Sequence, residues 1–196
     1  MIILPSTYLP SIDHLRAVVR EDYVIDLGEN YVKRSPRNRA EIMTANGIMQ
    51  LSVNIRRANR PRTPIQQIEI DYSKRWQHQH WMAIVSAYKS SPYFDYYADH
   101  LEPLFTTEYK YLAELNIATT KRLLQLMGLP QELKMSHSYI EATASDIDLR
   151  TKRSLIQEPP MREYIQVFSD RHPFAQNLSA LDLLLCEGPN AVSFLV

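Results

Sequence analysis

The sequence predicts an α/β fold in a single domain over residues 1–196. A mixed sheet opens with a βαβ unit, a mainly helical half follows, and a capped helix lies at the C-terminus. Three observations predict this fold. Residues 1–27 follow the order strand, loop, helix, strand, and the apolar period changes from two residues to a helical one after Asp71. No segment has the composition of a linker, and 196 residues are enough for one core.

The opening βαβ unit consists of two apolar runs with a helix between them. Residues 2–4 are a continuous apolar run typical of a buried strand, and residues 23–27 are a second β-rich run closed by Gly28. Ser11 can cap the intervening helix, whose apolar residues recur on one face. This order favours a parallel strand pair with a right-handed crossover.

The carboxyl ends of parallel strands form the edge at which such sheets bind ligands. Ser6 and Tyr8 follow the first predicted strand, and the segment after Leu27 follows the second. We therefore expect Ser6, Tyr8 and that segment to lie at the same edge of the sheet, where the two side chains would contact a substrate.

A hairpin and a further strand are expected next. Asn46-Gly47 is a strong tight-turn signal between Ile42-Met43 and an alternating strand over residues 48–55. Residues 56–64 are predicted to be a loop, and residues 65–71 a strand with alternating isoleucines.

The second half of the chain is predicted to be mainly helical. One helix carries an apolar face that ends before Ser90-Ser91-Pro92, and its members are Trp81, Ile84, Val85 and Tyr88. A long helix is predicted over residues 101–127, ended by Gly128 and Pro130. Residues 132–154 are predicted to be loop.

Two elements are predicted near the C-terminus. Residues 164–168 form a short β-like run, and Ser179 caps a final helix. Asp182 occupies the capping-box position of that helix, so we interpret it as a capping residue rather than a catalytic carboxylate.

A dense group of cations lies between Lys33 and Arg39, where four of seven residues are Lys or Arg. Guanidinium groups bind phosphate or carboxylate in a bidentate manner, and a lysine adds a point charge. If residues 31–33 are extended, Lys33 and Arg34 point to opposite faces. We therefore expect Lys33 and Arg39 to contact an anionic ligand and Asn38 to hold the loop. The alternative is a solvated loop.

The net charge limits the classes of partner that the protein is expected to bind. Lys plus Arg and Asp plus Glu number 22 each, so the net charge is zero, whereas general nucleic-acid binders are basic overall. A local basic patch on a neutral protein suits a phosphate-bearing small molecule, and we predict no nucleic-acid partner. The basic segment together with Trp76 and Trp81 keeps nucleic-acid binding as an alternative.

The histidines near Trp76 do not predict a metal site. His78 and His80 lie about 200° apart on a helix, so they cannot chelate one ion, and no other pair has chelating spacing. We predict no metal and no cofactor. His80 is predicted to act as an acid or base, the alternative being a histidine packed beside Trp76.

Cys186 is the only cysteine, so no internal disulfide can form and a reducing compartment is expected. We interpret it as a core residue because it follows three leucines. The N-terminus lacks the pattern of a signal peptide, and no apolar run approaches the ~20 residues of a membrane span. These observations predict a cytoplasmic protein without a membrane span.

Motifs along the whole chain resemble the WbqC-like family, and the chain is most similar to its shorter members. The motifs are S-T-Y-L-P at residues 6–10, N-Y-V-K-R-S-P-R-N-R at 30–39, A-N-G at 45–47, I-D-Y-S-K-R-W-Q-H-Q-H-W at 70–81, S-P-Y-F-D-Y-Y at 91–97, D-L-R at 148–150, Y-I-Q-V-F at 164–168, H-P-F at 172–174 and N-L-S-A-L-D-L-L-L-C-E-G-P at 177–189. Longer members have a histidine where Ser6 stands here.

The resemblance implies a bacterial protein of surface-polysaccharide or lipopolysaccharide synthesis. The candidate site residues that it implies are Lys33, Arg34, Asn38, Arg39, His80, Arg150, Gln166, His172 and Asn177. Our hypothesis is a transferase with a phosphate-bearing substrate, such as a nucleotide sugar or an activated acyl donor. In it Lys33 and His80 are catalytic, and the other candidates bind substrate together with Ser6 and Tyr8. The alternative is a non-catalytic sugar-phosphate-binding or assembly protein of the same pathway. The sequence predicts no particular oligomeric state.

Overall fold

A computed structural model of the protein describes residues 1–20, 22–56, 62–151 and 161–196. Its central sheet is parallel, and the predicted α/β class is confirmed. Strand β1 (Ile2–Pro5) pairs in parallel with β2 (Tyr23–Asp26), with Ile2 opposite Tyr23 and Pro5 opposite Asp26. The crossover between them is helix α1 (Ile12–Val19), so the βαβ unit is as predicted.

Helix α1 begins where the sequence indicates. The side-chain oxygen of Ser11 accepts a hydrogen bond from the backbone nitrogen of His14 at 3.4 Å, which satisfies one of the free donors of the first turn. Leu15 and Val18 are buried on its inner face. Its N-terminus and the short loop after β1 are thereby fixed against the core.

The predicted hairpin is confirmed. Strand β3 (Arg39–Thr44) pairs antiparallel with β4 (Gly47–Ser52), with Ile42 opposite Met49. Gly47 takes a φ of 99°, which L-residues with a side chain rarely adopt. The pair forms a two-stranded sheet of its own beside the parallel sheet.

The strand predicted over residues 65–71 is wrong in its first half. Ile65–Gln67 is a single turn of 3-10 helix, and Ile70 makes only an isolated bridge with Ile55. The Ile65 nitrogen donates to the carbonyl of Glu29 at 2.8 Å, so this segment uses its backbone to fasten the loop after β2. Alternation of isoleucines here reflects burial without a strand partner. Residues 57–61 of the predicted loop lie outside the described residues.

The helical half contains four α-helices before the C-terminal one within the described residues, and the single helix predicted over 101–127 is wrong. The four are α2 (Trp76–Tyr88), α3 (Phe94–Leu101), α4 (Pro103–Thr106) and α5 (Leu112–Leu126). Pro103 cannot donate a backbone hydrogen bond to continue α3, and Thr107 is extended with a ψ of 132°. The carboxylate of Glu114 accepts a hydrogen bond from the Tyr111 nitrogen at 3.0 Å and restarts the helix.

The region predicted as loop over residues 132–154 supplies two strands of the parallel sheet. These are β5 (Met135–Ser136), beside β2, and β6 (Ile147–Asp148), beside β1, which gives the order β5-β2-β1-β6. Each is two residues long, too short for a period to show, and both apolar side chains are exposed. Residues 152–154 lie outside the described residues.

The β-like run predicted over residues 164–168 forms no strand. Instead, the Gln166 side chain makes hydrogen bonds in both directions with the backbone of Ala175, each 2.9 Å long. The Gln166 side chain thus forms the hydrogen bonds that a neighbouring strand would otherwise provide, and it joins the two ends of this segment.

The final helix, α6 (Ala180–Glu187), is capped by Ser179 as predicted, whereas the capping role of Asp182 is wrong. Ser179 Oγ accepts from the Leu181 nitrogen at 3.3 Å. The Asp182 carboxylate is turned inward and accepts hydrogen bonds from the hydroxyls of Tyr88 (2.7 Å) and Tyr164 (2.6 Å). A 3-10 turn over Gly188–Phe194 follows α6.

One hydrophobic core joins these elements. Helix α6 is buried along most of its length between the sheet side and the helical half, and it includes the buried thiol of Cys186, whose pKa burial raises. Cys186 is therefore a core residue, as expected. Among the described residues, no helix has the length and apolar character needed to cross a membrane.

Candidate functional site

The carboxyl ends of β1 and β2 lead into two loops that pack against each other. The backbone nitrogen of Tyr8, in the loop after β1, donates to the carbonyl of Pro36 in the basic loop at 3.0 Å. Asp26 ends β2 at the same edge, directly opposite Pro5. Segments far apart in sequence therefore meet at the edge where parallel sheets bind ligands.

Arg37 is an internal counterion at this edge. Its Nε donates to Glu29 Oε1 at 2.9 Å, its Nη2 donates to Glu29 Oε2, and both side chains are buried. The same Nη2 also donates to the backbone carbonyl of Arg150 at 3.0 Å. Arg37 thereby ties the basic loop to the segment after β6.

Arg150 completes a buried ion network. Its guanidinium forms a two-pronged contact with Asp148 at 2.9 and 2.7 Å, and its Nη1 donates to Asp26 and, at 2.8 Å, to the carbonyl of Ile140. Arg150 lowers the pKa of Asp148 through this hydrogen-bonded contact. The structure therefore places Arg150 at the predicted edge with its donors already used by carboxylates.

Glu29 is a carboxylate of this network with a raised pKa. Burial raises its pKa to about 7, although Arg37 acts in the opposite direction. The three carboxylates of Asp26, Glu29 and Asp148 outnumber the two guanidinium groups that they bind. The network therefore satisfies its own cations and leaves none for an external anion.

Gly28 allows the segment after β5 to pack closely on the end of β2. A Cβ at this position would lie 2.2 Å from the backbone nitrogen of Tyr139 and 2.4 Å from the carbonyl carbon of Ser138. Only glycine permits this approach, because neither contact is with a flexible side chain.

The cations that remain uncompensated are Lys33, Arg34 and Arg39. Lys33 and Arg34 lie in a turn, with Arg34 at a φ of 55°, so the alternation of an extended strand does not continue through Arg34. Lys33 and Arg34 are exposed, and Arg39 is half-buried at the start of β3. Within the described ranges, none of the three forms a salt bridge with a carboxylate.

Asn38 and Ser6 anchor the two loops. Asn38 Nδ2 donates to the carbonyl of Val53 at 3.1 Å, which fixes the basic loop to the end of the hairpin. Asn116 Nδ2, from α5, donates to Ser6 Oγ and to the Arg37 carbonyl, both at 2.9 Å. Sequence reasoning missed Asn116, because a polar residue within a helix gives no signal of which distant loops it contacts.

His80 is paired with Tyr8 beneath this edge. The Tyr8 hydroxyl and His80 Nδ1 are 3.0 Å apart, and a hydrogen bond with the backbone of Ser52 is the ring's other polar contact. Burial lowers the pKa of His80 to about 4 and raises that of Tyr8. The imidazole is therefore neutral at pH 7 and shares a hydrogen bond with the Tyr8 hydroxyl.

Trp76 packs on this pair from one turn earlier in α2. Its ring centroid lies 5.1 Å from that of His80 and 6.4 Å from that of Tyr8. Trp76 is buried, and Trp81 stacks on Phe94 and Phe105. The two tryptophans on which the nucleic-acid alternative depended are thus packed within the protein.

The three C-terminal candidates are not brought to this edge by their contacts. Gln166 bonds to Ala175 and Asp182, the His172 ring lies 3.0 Å from the carbonyl of Ala45 at the hairpin turn, and Asn177 Oδ1 accepts from the Asp13 nitrogen at the start of α1. Gln166 and His172 border an open cleft of about 390 Å³. Their hydrogen bonds fasten the C-terminal segment to the hairpin and to helices α1 and α6.

The metal prediction concerns His78 and His80. Over the described residues, no group of three or more His, Cys, Asp or Glu side chains has the arrangement of a metal site. His78 is exposed and His80 buried, as expected for helical positions two residues apart.

Comparison with known proteins places these features in a family. The sequence model described as the WbqC-like protein family matches residues 6–166. The chain belongs to this WbqC-like family. It is also 28% identical over 167 residues to uncharacterized protein Rv1507c of Mycobacterium tuberculosis (strain ATCC 25618 / H37Rv), an alignment that covers 83% of this chain and 70% of that protein. No solved structure matches the chain.

Some of the candidate residues lie inside the range matched by the WbqC-like family, and others lie outside it. The range 6–166 includes the ion network, the basic loop and the Tyr8–His80 pair, whereas His172 and Asn177 lie beyond it. The ion network and the loops that follow β1 and β2 therefore lie within the family-matched part of this WbqC-like chain.

Proposed function

We propose that this WbqC-like protein binds a phosphate-bearing small molecule at the carboxyl edge of its parallel sheet. We further propose that it performs transferase-type chemistry on that molecule in the cytoplasm, as a step of bacterial surface-polysaccharide or lipopolysaccharide synthesis. The substrate class is a nucleotide sugar or an activated acyl donor. The supporting observation is the division of the cations at this edge into two groups.

Arg37 and Arg150 are neutralised inside the protein, whereas Lys33, Arg34 and Arg39 have no carboxylate partner in the described part of the chain. Cations held next to one another without counterions raise the local positive potential and attract an anion. A guanidinium can contact two phosphate oxygens at once, which orients the substrate as well as binding it.

Lys33 is the proposed electrophilic group and His80 the proposed base. Lys33 would stabilise the charge that develops on a transferred phosphoryl or acyl group, and such electrostatic stabilisation often contributes more to catalysis than any other effect. A pKa near 4 makes His80 a neutral imidazole at pH 7, so we assign it proton acceptance through Tyr8 rather than proton donation. Asn38 would keep the loop in register with the hairpin.

The test compares ligand binding and product formation in matched variants. Thermal shift against a panel of nucleotides and nucleotide sugars should stabilise the wild type, and Lys33→Ala and Arg39→Ala should lose that stabilisation. Arg171→Ala, which removes an exposed arginine paired with Asp170, is the control. If both site variants keep ligand binding and polysaccharide output, the assignment fails.

A non-catalytic sugar-phosphate binder is the second candidate. One observation favours it, since both polar contacts of His80 are with protein groups and the side chain is buried. Thermal shift would show stabilisation in either case. Incubation of the ligand with acceptor extracts separates the two candidates, because only an enzyme yields a new product by mass spectrometry.

A further inference from the structure

Some of the buried polar atoms without partners belong to the basic loop, to the start of β3 and to α2. Among the described residues, those without a hydrogen bond include Asn38 Oδ1, Arg39 Nε and Trp76 Nε1. Buried polar groups in folded proteins nearly always have partners, so each unpaired atom requires an explanation. These three residues lie in two of the motifs that identify the family.

The register between α2 and the hairpin brings the three residues together. The Tyr88 hydroxyl accepts a hydrogen bond from the Met43 nitrogen at 3.2 Å, and His80 bonds to the backbone of Ser52, which pairs with Arg39. Eight residues of helix span about 12 Å and four residues of strand about 14 Å, so α2 runs alongside β3.

Trp76 therefore lies at the level of the residues just before β3. It is one turn, about 6 Å, before His80 along the helix, which corresponds to about two residues of extended chain before Arg39. Two contacts of Tyr8 agree with this position. Its ring packs on that of Trp76, and the backbone nitrogen of Tyr8 donates a hydrogen bond to the carbonyl of Pro36. This register places Asn38 and Arg39 on the same side of α2 as Trp76, which packs on the Tyr8–His80 pair.

The chemistry of the unpaired atoms defines what would satisfy them. Arg39 Nε and Trp76 Nε1 are donors and need oxygen acceptors, whereas Asn38 Oδ1 is an acceptor and needs a donor. The amide orientation of Asn38 is fixed because its Nδ2 donates to the Val53 carbonyl. An anion without hydroxyl groups would leave Asn38 unpaired.

Arg39 extends from these buried, unpaired atoms to the protein surface. Its Nε is shielded from water, while the residue as a whole is only half-buried. Lys33 and Arg34 are exposed on the same loop. The anionic group of a ligand would therefore lie at the solvent side of Arg39, and its hydroxyl-bearing part would lie further in.

We infer that Trp76 Nε1 and Asn38 Oδ1 contact the substrate, and that the substrate is a sugar phosphate whose hydroxyl groups lie beside its anionic oxygens. This inference depends on the proposed anion site and adds the sugar to it. Trp76 donates to a ligand oxygen together with Arg39, and Asn38 accepts from a sugar hydroxyl.

The test uses the two tryptophans of the chain as a matched pair. Glucose 1-phosphate, phenyl phosphate and inorganic phosphate are titrated calorimetrically into wild type, Trp76→Phe and Trp81→Phe. Trp81 packs on Phe94 and Phe105 and its nitrogen is not among the unpaired atoms, so its variant controls for loss of ring size. In Trp81→Phe, Trp76 is the sole tryptophan and its emission reports the site.

Glucose 1-phosphate should bind wild type and Trp81→Phe alike and change the emission of Trp76. Binding to Trp76→Phe should be about tenfold weaker, as expected for loss of one hydrogen bond to a charged group. Phenyl phosphate, which has no hydroxyl groups, should bind more weakly than glucose 1-phosphate.

Two results would overturn the inference while leaving the anion site intact. One is equal affinity of Trp76→Phe and Trp81→Phe with unchanged Trp76 emission, and the other is equal binding of phenyl phosphate and glucose 1-phosphate. If the wild type binds none of the three phosphates, the proposed function fails as well. Should Trp76→Phe not fold, the emission of Trp81→Phe still decides the role of Trp76.

Discussion

Arg37, in the middle of the basic loop at residues 33–39, forms a two-pronged ion pair with the buried carboxylate of Glu29. Both residues lie at the carboxyl edge of the sheet, eight positions apart in sequence. The pair gives the basic loop a fixed internal end, because the same guanidinium also binds the carbonyl of Arg150. The loop's other cations form no salt bridge within the described part of the chain, and Lys33 and Arg34 are exposed.

Replacement of Arg37 by methionine should strongly destabilise the fold. The variant would leave Glu29 buried without its counterion, a change that costs about 3–5 kcal/mol for buried pairs. Urea unfolding at pH 8.5, where Glu29 is ionised, measures the loss.

Two controls sharpen this prediction. Arg34→Met removes an exposed cation from the same loop and should change the free energy of unfolding by less than about 0.5 kcal/mol. The double variant Glu29→Gln, Arg37→Met should recover part of the stability, since no unpaired charge remains. Equal losses in Arg37→Met and Arg34→Met would contradict a structural role for the pair.

Glu29 should make stability depend on pH near neutrality. Its pKa is raised from 4.5 to about 7 in the folded protein, so the fold favours the protonated carboxyl. The resulting stabilisation is complete below pH 4.5 and is lost as the pH rises through 7. The difference in unfolding free energy between wild type and Glu29→Gln should fall by about 2.5 kcal/mol from pH 5 to pH 8. A difference independent of pH would refute the shift.

The contribution of His80 to stability should have the opposite dependence on pH. Its pKa is lowered from 6.5 to about 4, so its contribution is complete above pH 6.5 and is lost as the pH falls through 4. We expect the stability of wild type relative to His80→Gln to fall by about 2 kcal/mol from pH 7 to pH 5. Because this change opposes that of Glu29, each is measured as a difference from its own variant. A histidine signal that titrates near pH 6.5 by NMR in wild type and is missing from His80→Gln would contradict burial of a neutral ring.

Loss of the Tyr88 hydroxyl should lower the stability of the core. Its hydroxyl donates to Asp182 and accepts from the Met43 nitrogen, so Tyr88→Phe leaves two buried groups short of a partner. The expected cost is about 2 kcal/mol or more in thermal or urea unfolding. Tyr96→Phe is the matched control, because Tyr96 is 72% exposed, and it should be neutral. Similar melting temperatures for both variants would exclude an energetic role for this hydroxyl.

The sequence was most informative where structure is local. The βαβ unit and the hairpin follow from patterns within a few residues of one another, and both are present. Strands β5 and β6 are two residues long and depend entirely on the neighbours they pair with, so no local pattern announces them. The helix predicted over residues 101–127 is interrupted between the end of α4 at Thr106 and the start of α5 at Leu112, which the apolar spacing on either side concealed.

The partners of charged residues are a second feature that could not be predicted from the sequence. Arg37 and Arg39 are two positions apart and chemically identical, yet one is neutralised by Glu29 and the other has no salt bridge among the described residues. Asp182 matched a capping position in the sequence, while its side chain is bonded to tyrosines from residues 88 and 164. These assignments depend on partners distant in sequence, which a single chain read in order cannot identify.

Calorimetric titration of glucose 1-phosphate into wild type, Arg39→Gln and Arg171→Gln tests the central claim most directly. Arg39→Gln removes a guanidinium without a carboxylate partner in the described ranges, whereas Arg171→Gln removes an exposed one paired with Asp170. We predict binding to wild type and Arg171→Gln, with affinity for Arg39→Gln about tenfold or more lower at unchanged melting temperature. Equal affinity in all three proteins, or no binding to the wild type, would contradict an anion site at the carboxyl edge of the sheet.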